Sequence, residues 1–158
     1  MNSPTSIRWG FIGCGQIGID KTLPGLLHAK HAHLVAISDL LAPRQALAIE
    51  LAAQKGLQPK VYGDYHEILA DPDVEAVYIA LPTGMHKEAA IAAANAKKAV
   101  LCEKPMGNSA EEVREMVCAA RDNGVPLMTA YMARFSDVFQ KAKELIRGGA
   151  IGQVTCVT

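Results

Sequence analysis

Apolar, β-branched runs alternate with helix-patterned segments along this chain. The runs at residues 7–13, 32–38, 60–62, 76–81, 99–102 and 126–131 read as strands. Between them, residues 16–30 (interrupted by Pro24), 43–55, 64–70, 85–98 and 111–123 carry helical spacing, and a further helix is predicted at about 136–147. Boundary chemistry agrees. Pro43 suits a first helical position, Gly56 a helix stop, and Ser109 with Glu112 spells a capping box. Val113, Met116, Val117 and Ala120 then give that helix one apolar stripe.

Strands that alternate with helices predict an α/β fold of Rossmann type: a doubly wound, mainly parallel sheet with helices on both faces. Residues 1–131 would form this dinucleotide-binding domain. After Tyr131 the texture changes. The last helix ends at Gly148-Gly149, and IGQVTCVT, residues 151–158, reads as another strand. Residues 132–158 are therefore expected to be a connecting helix and the first strand of a second domain that this chain does not contain.

Composition narrows the function. Sixteen basic and sixteen acidic side chains balance, without a Lys/Arg stripe, so nucleic acid is not an expected partner. The N-terminus, MNSPTSIRWG, lacks both a charged leader and an apolar run, so a cytoplasmic protein with no membrane segment is expected. Cys14, Cys102, Cys118 and Cys156 have no paired spacing and fit reduced thiols. No metal site is expected: His28, His31 and His33 crowd together but lack a carboxylate partner.

The first strand runs into "GCGQIG", which places Gly13, Gly15 and Gly18 around Cys14, Gln16 and Ile17. In a strand-turn-helix unit the first glycine permits a tight turn, the second lets a pyrophosphate approach the backbone, and the third lets the helix pack on the strand. Such triplets also occur in ordinary turns, so context has to decide. Asp39 supplies it. It follows the second strand, 21 residues beyond Gly18, where a carboxylate can accept hydrogen bonds from an adenosine ribose. The same residue would also suit a helix cap. A carboxylate there favours NAD over NADP by charge repulsion, and Arg44 softens that preference.

"LCEKPMG" places Glu103 and Lys104 beyond the end of the fifth strand, where ligands of open parallel sheets bind. A lysine there suits proton transfer to an alcohol or carbonyl oxygen. The Lys104–Pro105 bond is a candidate for cis geometry.

Together the glycine loop, Asp39, "ALPTGMH" at 80–86, "EKP" at 103–105 and "YMARF" at 131–135 resemble the Gfo/Idh/MocA family of NAD(P)-dependent oxidoreductases. The resemblance implies that Gly13, Gly15, Gln16, Ile17 and Gly18 surround the pyrophosphate of NAD, or of NADP, and that Asp39 holds the ribose. It further implies that Pro82 and Thr83 line the cofactor, where the family often has Pro-Asn. Glu103 and Lys104 approach the nicotinamide ribose, with Lys104 the catalytic residue, and Arg134 borders the nicotinamide or substrate. The implied substrate is a sugar, cyclitol or related polyol. A second domain would supply most of the substrate site, the proton-transfer histidine and the interface of a homo-oligomer. His86 matches a histidine in the family's Pro-x-x-x-His loop and is expected to start a helix, not to replace that histidine. The rival reading is a regulator that binds NAD(P) without turnover; the intact EKP favours the enzyme.

Overall fold

The computed structural model describes residues 6–156. Six strands form one parallel sheet: β1 (Ile7–Ile12), β2 (Ala32–Ser38), β3 (Lys60–Tyr62), β4 (Ala76–Ile79), β5 (Ala99–Cys102) and β6 (Leu127–Thr129), in the order β3-β2-β1-β4-β5-β6. The order reverses between β1 and β4. A crevice forms there at the carboxyl ends of the strands, and this is where sheets of this kind bind ligands.

Period-two alternation builds two cores. Ile12, Ala36, Val77 and Ile79 point to one face, under α3 (Tyr65–Ala70), α4 (His86–Asn95) and α5 (Ala110–Asn123). Their neighbours Phe11, Ile37 and Tyr78 point to the other, under α1 (Leu23–His28) and α2 (Ala42–Ala53). On that second face the expected cover is incomplete. Trp9, Ala76, Leu101, Met128 and Phe135 line an open apolar groove of about 820 Å³. The last helix, α6 (Asp137–Arg147), stands exposed along its whole length, its stripe of Val138, Phe139, Leu145 and Ile146 in solvent.

Three expectations need correction. The helix at 16–30 is not broken by Pro24. A π-helical turn at Gly18–Thr22, closed by Leu23 N–H on the Gly18 carbonyl, leads directly into α1. The wider turn shifts the donor register by one residue just ahead of the proline, which has no N–H to give. The Ser109 box is half formed: Ser109 Oγ accepts from Glu112 N–H at 3.2 Å, but the Glu112 carboxylate accepts from Asn108 N–H. The complete box is at Asp64 and Glu67, which starts α3. Finally, residues 151–156 form no strand, because no ladder partner lies beside them; Val157 and Thr158 lie outside the described residues.

Candidate functional site

The protein itself requires two of the three glycines and leaves the third free. Gly13 has φ +89°, and a Cβ there would sit 2.6 Å from the Ala80 carbonyl oxygen at the end of β4. At Gly18 a Cβ would lie 2.9 Å from the Gly13 carbonyl and 3.0 Å from the Phe11 ring. These two are demanded by the protein's own backbone and core. A Cβ at Gly15 would meet no atom within 4 Å among the described residues, its chain neighbours aside. The fold leaves that position bare beside Gln16 and Ile17, which are exposed and begin the helix. First-turn amides of a helix have no intrahelical acceptor, and they suit an anion.

Asp39, half-buried at the end of β2, holds this loop in place. Its Oδ2 accepts from Cys14 N–H at 2.7 Å and its Oδ1 from Leu41 N–H at 2.8 Å. Each oxygen keeps a further lone pair for a hydroxyl donor. Gln45 pins the neighbouring backbone by donating to the Asp39 and Tyr62 carbonyls. A cavity of about 560 Å³ opens here, lined by Ser38, Asp39, Leu40, Arg44, Leu81, Pro82 and Met85. Burial, then the nearby Asp39, pushes the Cys14 thiol up to about 12, so this cysteine inside the loop is an inert packing group.

Two further loops form the other wall. Pro82 and Thr83 follow β4 and enter the turn Thr83–Met85, which leads into α4. Glu103 and Lys104 follow β5, and the Lys104–Pro105 peptide is cis, as the sequence reading proposed. His86, the first residue of α4, is buried between these loops. Its Nδ1 lies 2.9 Å from the Pro105 carbonyl and its Nε2 2.8 Å from that of Leu81.

Glu103 and Lys104 part company. Lys104 is exposed, whereas Glu103 is only 5 % exposed and turned inward. Glu103 Oε1 accepts from the Tyr78 hydroxyl at 2.6 Å, and its Oε2 from Lys104 N–H at 2.9 Å. Tyr78 and its second partner Thr22 escaped the sequence reading. The available signal was a hydroxyl in the otherwise aliphatic strand "AVYI", since a buried tyrosine oxygen needs a partner. Burial, then the bond to Glu103, raises the Tyr78 phenol.

The structure thus sets the glycine loop against Asp39 and Ala80, with Asp39 and Pro82 lining one cavity and Lys104 on the neighbouring turn. Arg134 is in a separate turn, Met132–Phe135, exposed and with its guanidinium 6.0 Å from the Phe135 ring centre. That turn borders the apolar groove instead.

A parallel sheet reversing beside a glycine loop, with the Asp39 carboxylate holding that loop, defines a Rossmann domain of the dinucleotide-binding type. Comparison with known proteins agrees. The family model described as an oxidoreductase family with NAD-binding Rossmann fold matches residues 7–131, and the chain belongs to this Gfo/Idh/MocA family. It is 43 % identical over 151 residues to trans-1,2-dihydrobenzene-1,2-diol dehydrogenase of Mus musculus, covering 94 % of this chain and 44 % of that protein. The Bos taurus enzyme of the same name is 38 % identical, with 96 % and 44 % covered. Among solved structures, scyllo-inositol dehydrogenase from Lactobacillus casei with bound NAD(H) and scyllo-inositol superposes with a TM-score of 0.85 at 27 % identity, covering 96 % of this chain and 44 % of that one. A 3-ketoreductase from Actinomadura kijaniata in complex with NADP and TDP-benzene gives 0.83 at 28 %, with 94 % and 44 % covered. The chain therefore spans less than half the length of these relatives. Among the described residues, no helix is long and apolar enough to cross a membrane.

Proposed function

We propose that this chain is the cofactor-binding part of an NAD(P)-dependent dehydrogenase acting on a sugar, cyclitol or related polyol in the cytoplasm. The observation that carries the reading is the anchored glycine loop: Asp39 accepts from Cys14 N–H between Gly13 and Gly15, beside the point where the strand order reverses. Sheets of this kind bind dinucleotides at that point. In this reading Gly13, Gly15, Gln16, Ile17 and Gly18 receive the pyrophosphate, and Asp39 accepts from the ribose. Pro82 and Thr83 flank the cofactor, Glu103 supports the turn, and Arg134 borders the nicotinamide or substrate.

Bound NAD would supply the hydride acceptor or donor. The chain's own residues do the rest. Lys104, exposed at the strand end, holds or moves the proton on the substrate oxygen. Asp39 favours NAD over NADP because a 2′-phosphate would face its carboxylate. We assign residues 1–131 to the cofactor domain and 132–158 to the connection with a substrate domain. That domain would cover the exposed α6 and the apolar groove and would form a homo-oligomeric interface; the exposed stripe and the 44 % coverage support this division.

Titration calorimetry with NAD and NADP tests the reading. The chain should bind NAD more tightly than NADP and, by itself, should not oxidise a polyol. A folded chain that binds neither nucleotide refutes it.

A further inference from the structure

We propose that Thr22 and Tyr78 are positioning residues, a hydroxyl relay that fixes the Glu103–Lys104 turn from the far side of the sheet. The proposal rests on the dinucleotide reading of the crevice and adds two residues to it.

The donor directions follow from chemistry. Tyr78 Oη lies 2.6 Å from Glu103 Oε1 and 2.8 Å from Thr22 Oγ1. A carboxylate only accepts, so the single phenolic proton goes to Glu103 and the threonine hydroxyl donates to the phenol. Glu103 Oε2 accepts from Lys104 N–H at 2.9 Å. The chain of bonds is thus Thr22 to Tyr78 to Glu103, with Lys104 held on the second oxygen. Its members come from three separate elements. Thr22 closes the π-helical turn that follows the glycine loop, Tyr78 is in the middle of β4, and Glu103 leaves β5.

Two features make the relay more than packing. Glu103 is 5 % exposed, and no salt bridge reaches it among the described residues, so hydroxyl and amide donors carry it. The relay also joins the segment that would receive the pyrophosphate to the turn that presents Lys104. A π-turn inside a helix often marks such a functional position. The Tyr78 ring is separately anchored, 4.9 Å from the Phe11 ring and fully buried. Removing the hydroxyl alone therefore leaves the core filled.

Y78F, T22V and the double variant test this, read by NAD calorimetry and by hydrogen exchange at the Lys104 amide, with amides of β1 as internal controls. In Y78F the NAD dissociation constant should rise about tenfold and Lys104 exchange should accelerate, while β1 exchange stays unchanged. The double variant should be no worse than Y78F, because Thr22 acts through Tyr78. T22S, which keeps the hydroxyl, should rescue the T22V loss. Unchanged Lys104 exchange, unchanged NAD affinity or additive losses overturn the proposal. If the unsubstituted chain fails to bind NAD, the dinucleotide reading falls instead, and Lys104 exchange alone still decides the relay. T22V carries the test should Y78F fail to fold.

Discussion

The Asp39 carboxylate accepts a 2.7 Å hydrogen bond from the backbone N–H of Cys14, the residue between Gly13 and Gly15. The end of β2 therefore shapes the glycine loop directly. A side chain proposed to meet the ribose also holds the glycine loop, and the two duties cannot be removed separately by truncation.

Replacement of Asp39 should reveal both duties. Asp39→Ser should weaken NAD by tenfold or more, on the order of the loss of a charge-assisted hydrogen bond. It should also lower the NAD-over-NADP preference, because repulsion of the 2′-phosphate goes. NADP affinity should gain less than NAD loses, since the loop at Cys14 loosens for both. Calorimetry with each nucleotide measures the ratio; an unaltered ratio would remove Asp39 from cofactor choice.

Alanine at Gly13 and at Gly15 should separate fold from ligand. Gly13→Ala must force a Cβ toward the Ala80 carbonyl at a positive φ, and should destabilise the chain by roughly 1–3 kcal/mol or more. Gly15→Ala meets nothing within 4 Å, so its melting temperature should hold while NAD affinity falls. Equal melting temperatures for both variants would contradict the geometry.

Thiol chemistry should split the cysteines two and two. Burial pushes Cys14 and Cys102 up to about 12, with Asp39 and Glu103 adding to it respectively, whereas Cys118 and Cys156 are exposed. A disulfide reagent at pH 8 should titrate two thiols quickly and the others only after denaturant is added. Rapid reaction of all four would show that the glycine loop opens.

Asp71 gives a stability change with a defined pH sign. Burial raises its carboxyl, but bonds from Asp73 N–H, Lys60 and Tyr62 outweigh this and hold it below the ordinary value. A carboxyl depressed in the folded state stabilises the chain fully above its unfolded value near 3.8, and that contribution fades as pH falls through the folded value. Asp71→Asn should therefore cost about 1–3 kcal/mol at pH 7 and progressively less below pH 3.8. A deficit independent of pH, measured by denaturant unfolding, would assign the effect to packing.

Much of this was legible in the residues. β2, β3 and β5 have the bounds that the apolar, β-branched runs gave, even though β3 is a largely exposed edge strand. Gly13 and Asp39 were legible because glycine spacing and carboxylate distance are local, one-dimensional signals. The inward turn of Glu103 was not. It depends on Tyr78, 25 residues earlier and one strand away, and no spacing rule couples the two. The π-turn before Pro24 was hidden for a related reason: a proline in a helical pattern signals a break, and only the packing of Leu23 into the core shows that the helix persists. At 151–156 apolar alternation promised a strand, but a strand also needs a neighbour, which a run of residues cannot reveal.

His86 has a mechanical consequence. One buried ring packs between the carbonyls of Leu81 and Pro105, within hydrogen-bond distance of each, so the loops after β4 and β5 share a single support. The opposite side of the crevice is hung from Asp39 on two backbone amides. The two supports meet where Gly13 abuts Ala80. A side chain at that contact would wedge the two apart, so the bare Gly13 position sets how closely the walls of the crevice meet.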